Sequence, residues 1–174
     1  MKKRNLALII ESFKEFIGDS EYFINIGRLD KQKNQEELIK QFDEFINETG
    51  GNYKLVIIGS GILKDSIEEL IAEKHLSEKV MLLPYISNPF PYLRGALAFV
   101  LASIYEGLPN ALLEAMALGV PVITSDCPTV PRELLLDKND INIHIKEIEV
   151  TERGIIVGTT ESKTGYKYEG IKKH

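Results

Sequence analysis

Apolar residues recur along the chain in two rhythms. Short, nearly unbroken runs occupy 22–26, 53–58, 80–83, 98–101, 120–124 and 154–157. Runs of this length bounded by turn residues predict buried strands. Between them the apolar positions fall three and four apart. Leu38, Ile39, Phe42, Phe45 and Ile46 do so, as do Leu63, Ile67, Leu70 and Ile71, and then Leu112, Leu113, Met116 and Ala117. Such spacing puts the apolar groups on one helix face and predicts helices over 36–46, 63–72 and 109–118. A further helix, 6–17, precedes the first strand. Strands that alternate with helices build βαβ units, and apolar runs without polar alternation suit a sheet covered on both faces. The expected fold class is therefore α/β: a single Rossmann-like, doubly wound parallel sheet with helices on both faces.

Turn residues punctuate these units. Gly27, Gly59-Ser60-Gly61 and Gly107-Leu108-Pro109 follow predicted strands; Gly50-Gly51 and Gly119 end predicted helices. The expected organisation is a helix or linker over 1–20, a ligand-binding domain over 21–158, and a polar, aperiodic tail over 159–174 read as loop or disorder. With 174 residues, 44% hydrophobic and 27% charged, the composition is that of one globular domain. It excludes a collagen-like chain and a coiled coil.

Charge narrows the partners. Twenty-one Lys and Arg against 26 Asp and Glu leave a net charge of −5. An acidic chain lacks the basic footprint of a nucleic-acid binder, so any anion site must be local. One cysteine, Cys127, excludes an internal disulfide and fits a reducing, cytoplasmic setting. His75, His144 and His174 are scattered, and no metal-ligand spacing exists. The apolar run behind Lys2-Lys3-Arg4, at 6–10, is shorter than the ~7–15 residues of a signal peptide. Those three cations can touch an anionic membrane face peripherally.

In an open parallel sheet the ligand crevice lies beyond the carboxyl ends of the strands. Four groups of residues gather there. Gly27-Arg28-Leu29 is followed by Lys33, and an Arg fork with a Lys point charge suits phosphate oxygens. The same residues also fit a solvated turn with surface cations. Gly59-Ser60-Gly61 lacks the third glycine of a dinucleotide fingerprint and reads first as a tight turn. Tyr85 and Ile86 place backbone groups where a base edge can lie, or simply pack. Tyr105-Glu106-Gly107-Leu108-Pro109-Asn110 opens a helix, and the N–H groups of Gly107, Leu108, Asn110 and Ala111 with the helix dipole make an anion site. Glu114 stands about one turn further, in an apolar stretch where a charge ordinarily has a partner. Two carboxylates beside an anion site suit sugar and ribose hydroxyls. Cys127 has no neighbouring His in sequence and reads as packing rather than as a nucleophile.

Taken together these groups resemble the nucleotide-sugar-binding half of family 4 retaining glycosyltransferases, which have the GT-B fold. The match runs from Phe23-Ile24-Asn25-Ile26-Gly27-Arg28-Leu29 and Lys33 through 55–61 and Asn88-Pro89-Phe90-Pro91-Tyr92-Leu93. It continues through Glu106-Gly107-Leu108-Pro109-Asn110, Glu114-Ala115, Gly119-Val120-Pro121-Val122-Ile123 and Pro131-Arg132-Glu133-Leu134. Glu106 and Glu114, seven residues between them, are the family's signature pair.

The resemblance implies a role for each residue. Arg28 and Lys33 would bind the donor diphosphate and stabilise the leaving nucleoside diphosphate, most readily of a uridine diphosphate sugar. Glu106 would hold donor-sugar hydroxyls and Glu114 the ribose. The backbone of Tyr85 and Ile86 would read the base. Glu106, Arg28 and Lys33 would be the catalytic set, with no cofactor and no metal. The implied activity is hexosyl transfer in the synthesis of surface polysaccharide or lipid-linked oligosaccharide. The acceptor-binding half expected on the N-terminal side is missing from the matching string, as are the helices that normally follow Val157. It would come from another chain or be lost. Ala98 and Asn34 stand where the family commonly has an acidic residue and a glycine. Two alternatives share these features: a non-catalytic nucleotide-sugar-binding module, and an unrelated Rossmann-like domain for another nucleotide.

Overall fold

The computed structural model describes residues 3–127, 130–136, 145, 147–162 and 165–168. Helix α1 (Lys3–Ile17) leads into strand β1 (Glu21–Ile26). Then follow α2 (Gln35–Thr49), β2 (Tyr53–Ile58), α3 (Lys64–Glu73), β3 (Val80–Leu83), the short α4 (Phe90–Leu93) and β4 (Ala98–Leu101). Helix α5 (Asn110–Ala117), β5 (Val122–Ser125), α6 (Val130–Leu135), β6 (Ile148–Thr151) and β7 (Gly154–Val157) complete the main body.

Seven strands form one sheet in the order β3-β2-β1-β4-β5-β7-β6. Strands β3 to β7, apart from β6, pair in parallel; β1 lies in register on β2 from Glu21↔Tyr53 to Ile26↔Ile58, and on β4 at Phe23↔Ala98 and Ile24↔Phe99. The expected all-parallel sheet needs one correction: β6, which no apolar run predicts, pairs antiparallel with β7. Its burial pattern is largely exposed, as an edge strand with one free side should be. A second correction concerns the tail. Thr159–Ser162 (β8) and Gly165–Tyr168 (β9) form a two-stranded antiparallel sheet instead of loop. His144, His174 and the stretch 169–174 lie outside the described residues, as do Met1 and Lys2.

Two cores explain the strand pattern. On one face Tyr22, Ile24, Val56, Ile58, Phe99 and Leu101 pack with Leu112 and Ala115 of α5 and with Phe13 of α1. Phe13 meets Tyr22 and Tyr92 edge-on at 5.5 and 4.8 Å, and the Tyr22 hydroxyl donates to the Tyr92 carbonyl at 2.6 Å. On the other face Leu55 and Ile57 pack with Leu38, Ile39 and Phe42 of α2 and Ile67 and Ile71 of α3. Residues alternate between faces at every step, so a strand buried on both sides must be apolar throughout. Beside α2 the second face carries an apolar groove of about 260 Å³, lined by Phe42 and Phe45 and by Val100, Ile123 and Val157. Among the described residues no helix is long and apolar enough to cross a membrane.

Candidate functional site

The strand order reverses direction between β1 and β4, and the loops that leave those two strands diverge there. A cleft of about 430 Å³ opens at that point, beyond the carboxyl ends. It collects residues from four loops, with Gly59 and Ser60 contributed by the one after β2. Gly27, Arg28 and Lys33 line it from the β1–α2 loop; Tyr85 and Ile86 line it after β3. Glu106, Leu108, Asn110, Ala111 and Glu114 line it from the β4–α5 side. Gly107 lies between two of these but is not among the lining residues.

Lys33, Glu106 and Arg28 are already engaged with charged partners. Lys33 Nζ pairs with Glu106 Oε1, and the same oxygen accepts from the Ser103 hydroxyl at 2.6 Å. Glu106 is buried, and Lys33 nearly so. Ser103 is itself held, since the Ser125 hydroxyl donates to its carbonyl at 2.6 Å. Arg28, by contrast, is 72% exposed, with its guanidinium 3.3 Å from Asp30 Oδ2. It lines the cleft from this exposed position. Glu114 is half-buried and lines the cleft without a side-chain partner among the described residues, against the expectation of one.

Helix α5 begins at Asn110, behind Pro109. The Asn110 N–H, expected to face the crevice, is turned onto the Leu108 carbonyl at 3.0 Å. The Leu112 and Leu113 N–H groups fold back on the Pro109 carbonyl. The N–H groups of Gly107, Leu108 and Ala111 meet no acceptor among the described residues. Three of the four proposed donors thus remain available, and the fourth does not. Ile86 is buried while Tyr85 is 65% exposed at the cleft mouth.

Gly59-Ser60-Gly61 has a use the sequence reading missed. The Leu29 N–H donates to the Ser60 carbonyl at 3.0 Å and the Leu63 N–H to the Leu29 carbonyl at 3.1 Å, so this loop supports the Arg28 loop from below. A Cβ at Gly59 would sit 1.9 Å from the Gly27 carbonyl oxygen, and one at Gly61 2.2 Å from that of Leu29. These are backbone obstacles that cannot rotate away. Gly59→Ala is expected to cost about 3 kcal/mol, the upper part of the overpacking range. Gly107→Ala, with nothing within 4 Å of its Cβ, should stay within about 0.5 kcal/mol. Urea unfolding of the two variants checks the contrast.

Cys127 is buried after β5. Burial, reinforced by the nearby Glu106 carboxylate, pushes its thiol up to about 12. A thiol so far from ionisation is a poor nucleophile near neutrality, consistent with packing. Among the described residues no group of three or more His, Cys, Asp or Glu could hold a metal. Sequence reasoning overlooked Gln32, Ser87 and Ser103. Gln32 and Ser87 line the cleft, and Ser103 lies under Glu106. Their only signal was a polar type beside a strand end.

A mostly parallel sheet with this order and a charged cleft at its reversal point defines a doubly wound α/β domain. The chain belongs to the group 1 glycosyltransferases, whose family model matches residues 9–157. It is 43% identical, over 76% of its length and 32% of the relative's, to an uncharacterized glycosyltransferase of Methanocaldococcus jannaschii. It is 39% identical, over 67% of its length and 31% of the relative's, to a 4-alpha-N-acetylgalactosaminyltransferase of Campylobacter jejuni that acts on a diphospho-undecaprenol-linked sugar. Among solved structures it resembles the lipopolysaccharide outer core galactosyltransferase WaaB, with a TM-score of 0.60 and 30% identity over 66% of this chain and 33% of that one. It also resembles the Staphylococcus aureus protein TarM in complex with fondaparinux, alpha-GlcNAc-glycerol and UDP (TM-score 0.64, 27% identity, 71% and 26% coverage). The chain spans about a third of the length of the relatives it matches in sequence. Its fold is that of one Rossmann-like half of a GT-B enzyme.

Proposed function

We propose that residues 21–158 bind the nucleotide-sugar donor of a retaining glycosyltransferase, with a uridine diphosphate sugar favoured. The observation that carries this reading is a single cleft holding two cations, a buried carboxylate and the start of a helix. A diphosphate brings negative charge that grows as the glycosidic bond breaks. Arg28, Lys33 and the open N–H groups of Leu108 and Ala111 can neutralise that charge in place. No metal is needed for it in this reading. Glu106, acceptor-only when ionised, suits sugar hydroxyls, and Glu114 suits the ribose. Tyr85 and Ile86 sit where a base would lie. TarM, at 27% identity, was solved with UDP, which supports the choice of base.

In this reading Arg28, Lys33 and Glu106 act on the donor, and an acceptor-binding half, in the same or another polypeptide, completes the enzyme. The process served is the building of a surface polysaccharide or lipid-linked oligosaccharide, as the named relatives suggest.

Titration calorimetry with uridine diphosphate tests the reading. The chain should bind one equivalent, and Arg28→Ala should weaken binding about tenfold or more through loss of a charge-assisted fork. Because the Arg28 side chain is exposed, the variant should melt with the parent. Failure of the parent to bind any nucleoside diphosphate would overturn the donor-site assignment.

A further inference from the structure

The β1–α2 loop and the β4–α5 loop supply the opposite charges of the cleft, and they are stitched together by consecutive residues. The Ile104 N–H donates to the Gln32 carbonyl at 2.9 Å. The Gln32 carboxamide donates from Nε2 to the Tyr105 carbonyl, also at 2.9 Å. The next residue, Lys33, pairs with Glu106. Residues 32–33 thus meet residues 104–106 at three points, two of them across a separation of 73 positions.

Gln32 has one more contact. Its Oε1 accepts from Arg28 Nη2 at 3.4 Å. Arg28 is therefore approached from two sides, by Gln32 and by Asp30. Its backbone is fixed separately: the buried Gln35 donates from Nε2 to the Arg28 carbonyl at 2.8 Å. With its main chain pinned by Gln35 and its loop supported by Ser60, what remains undetermined about Arg28 is the direction of a long, exposed side chain. A carboxamide has one acceptor and one donor end, so it can hold a guanidinium while being anchored elsewhere. Gln32 does this, with its donor end anchored on the opposite loop.

We propose that Gln32 is a positioning residue that aims the Arg28 guanidinium into the cleft by bracing it against the Tyr105 carbonyl. This rests on the donor-site reading for its effect on ligand, but not for the geometry it asserts. An arginine held in place loses less side-chain entropy when a diphosphate arrives. The gain is thus in pre-organisation rather than in a contact made by Gln32 itself.

Gln32→Met keeps the length of the side chain and removes both ends of the brace. Two measurements test the proposal. In the ligand-free chain, ¹⁵N relaxation of the Arg28 guanidinium should show greater mobility in Gln32→Met than in the parent, with the β1 backbone unchanged. In calorimetry, Gln32→Met should bind uridine diphosphate about tenfold more weakly, the upper end of the cost of ordering one long side chain on binding. In an Arg28→Ala background the same change should alter affinity less than about twofold, because there is nothing left to aim. Unchanged Arg28 mobility would overturn the proposal. So would an equal loss of affinity with and without Arg28, which would make Gln32 a direct ligand contact. If the parent binds no nucleoside diphosphate, the donor-site reading falls, while the relaxation experiment still decides whether Gln32 positions Arg28.

Discussion

Asp126→Ala is expected to lower the stability of the chain by about 3–5 kcal/mol, the cost of leaving a buried charge without its partner. Asp126 and Arg132 are 4% and 3% exposed. Arg132 grips both carboxylate oxygens, with Nη2 at 2.7 Å from Oδ2. Oδ2 also accepts the Ile145 N–H at 3.0 Å. The Asp126 N–H in turn donates to the Val157 carbonyl at 2.7 Å, which fastens the end of β5 to the end of β7. The carboxylate thus ties Arg132 of α6 to Ile145, while the Asp126 backbone holds the sheet end. Domains have about 5–15 kcal/mol in all, so the variant should have a far lower urea midpoint. Replacing both partners, Asp126→Leu with Arg132→Met, should cost less than the single change, because no charge is then stranded. If the single change cost under about 1 kcal/mol, the pair would have to be open to water, contrary to its burial.

Lys33→Met is expected to abolish binding of uridine diphosphate, a loss of about a hundredfold or more. Two effects add. One cation leaves the cleft, and Glu106 loses the charge that offsets it beside an incoming diphosphate. The pair is not fully dry, with Lys33 16% exposed, so the cost to folding should be about 2 kcal/mol, below the range for a sealed pair. Glu106→Gln separates the two effects. It preserves shape and still accepts from Ser103, but releases Lys33 from its ion pair. Affinity for uridine diphosphate should hold or rise, while the extra affinity of a uridine diphosphate sugar over the bare diphosphate should vanish. Calorimetry with both ligands reads this directly. Equal losses of diphosphate binding in the two variants would mean that Lys33 serves Glu106 alone and not the phosphates.

The apolar runs placed each of the six predicted strands within about two residues, because a strand covered on both faces has no polar step to blur it. Strand β6 left no such mark. It sits at an edge with Glu149 and Val150 exposed, so its pairing with β7, not its composition, makes it a strand. The tail hairpin is similar: Thr159–Ser162 finds a partner only because Gly165–Tyr168 returns alongside it. Helix α4 is too short to show a period, and Pro89 and Pro91 add no helical signal of their own.

At the site, local chemistry was legible and mutual engagement was not. Gly27, Arg28, Lys33, Glu106 and Glu114 could each be picked out by type, at a strand end or in the turn of helix that follows one. That Lys33 is bonded to Glu106 depends on β1 lying next to β4, a pairing between segments more than 70 residues apart. The Asn110 N–H was assigned to the crevice from helix geometry, and only the turn at Leu108 shows it satisfied within the chain.

By itself, then, the sequence determined what depends on neighbours along the chain. Periodicity set the strands and helices, and their alternation set the α/β class. Strand-end position and residue type set which side chains could meet a ligand. The tertiary structure decided what depends on neighbours across it. The order of strands brought a cationic loop against an acidic one, made Gly59 and Gly61 points of backbone contact, and closed a buried ion pair between Asp126 and Arg132. The physical reason is range: propensity and amphipathicity act within a turn or two of chain, whereas ion pairs and close backbone packing require groups that only the completed sheet brings within a few ångström.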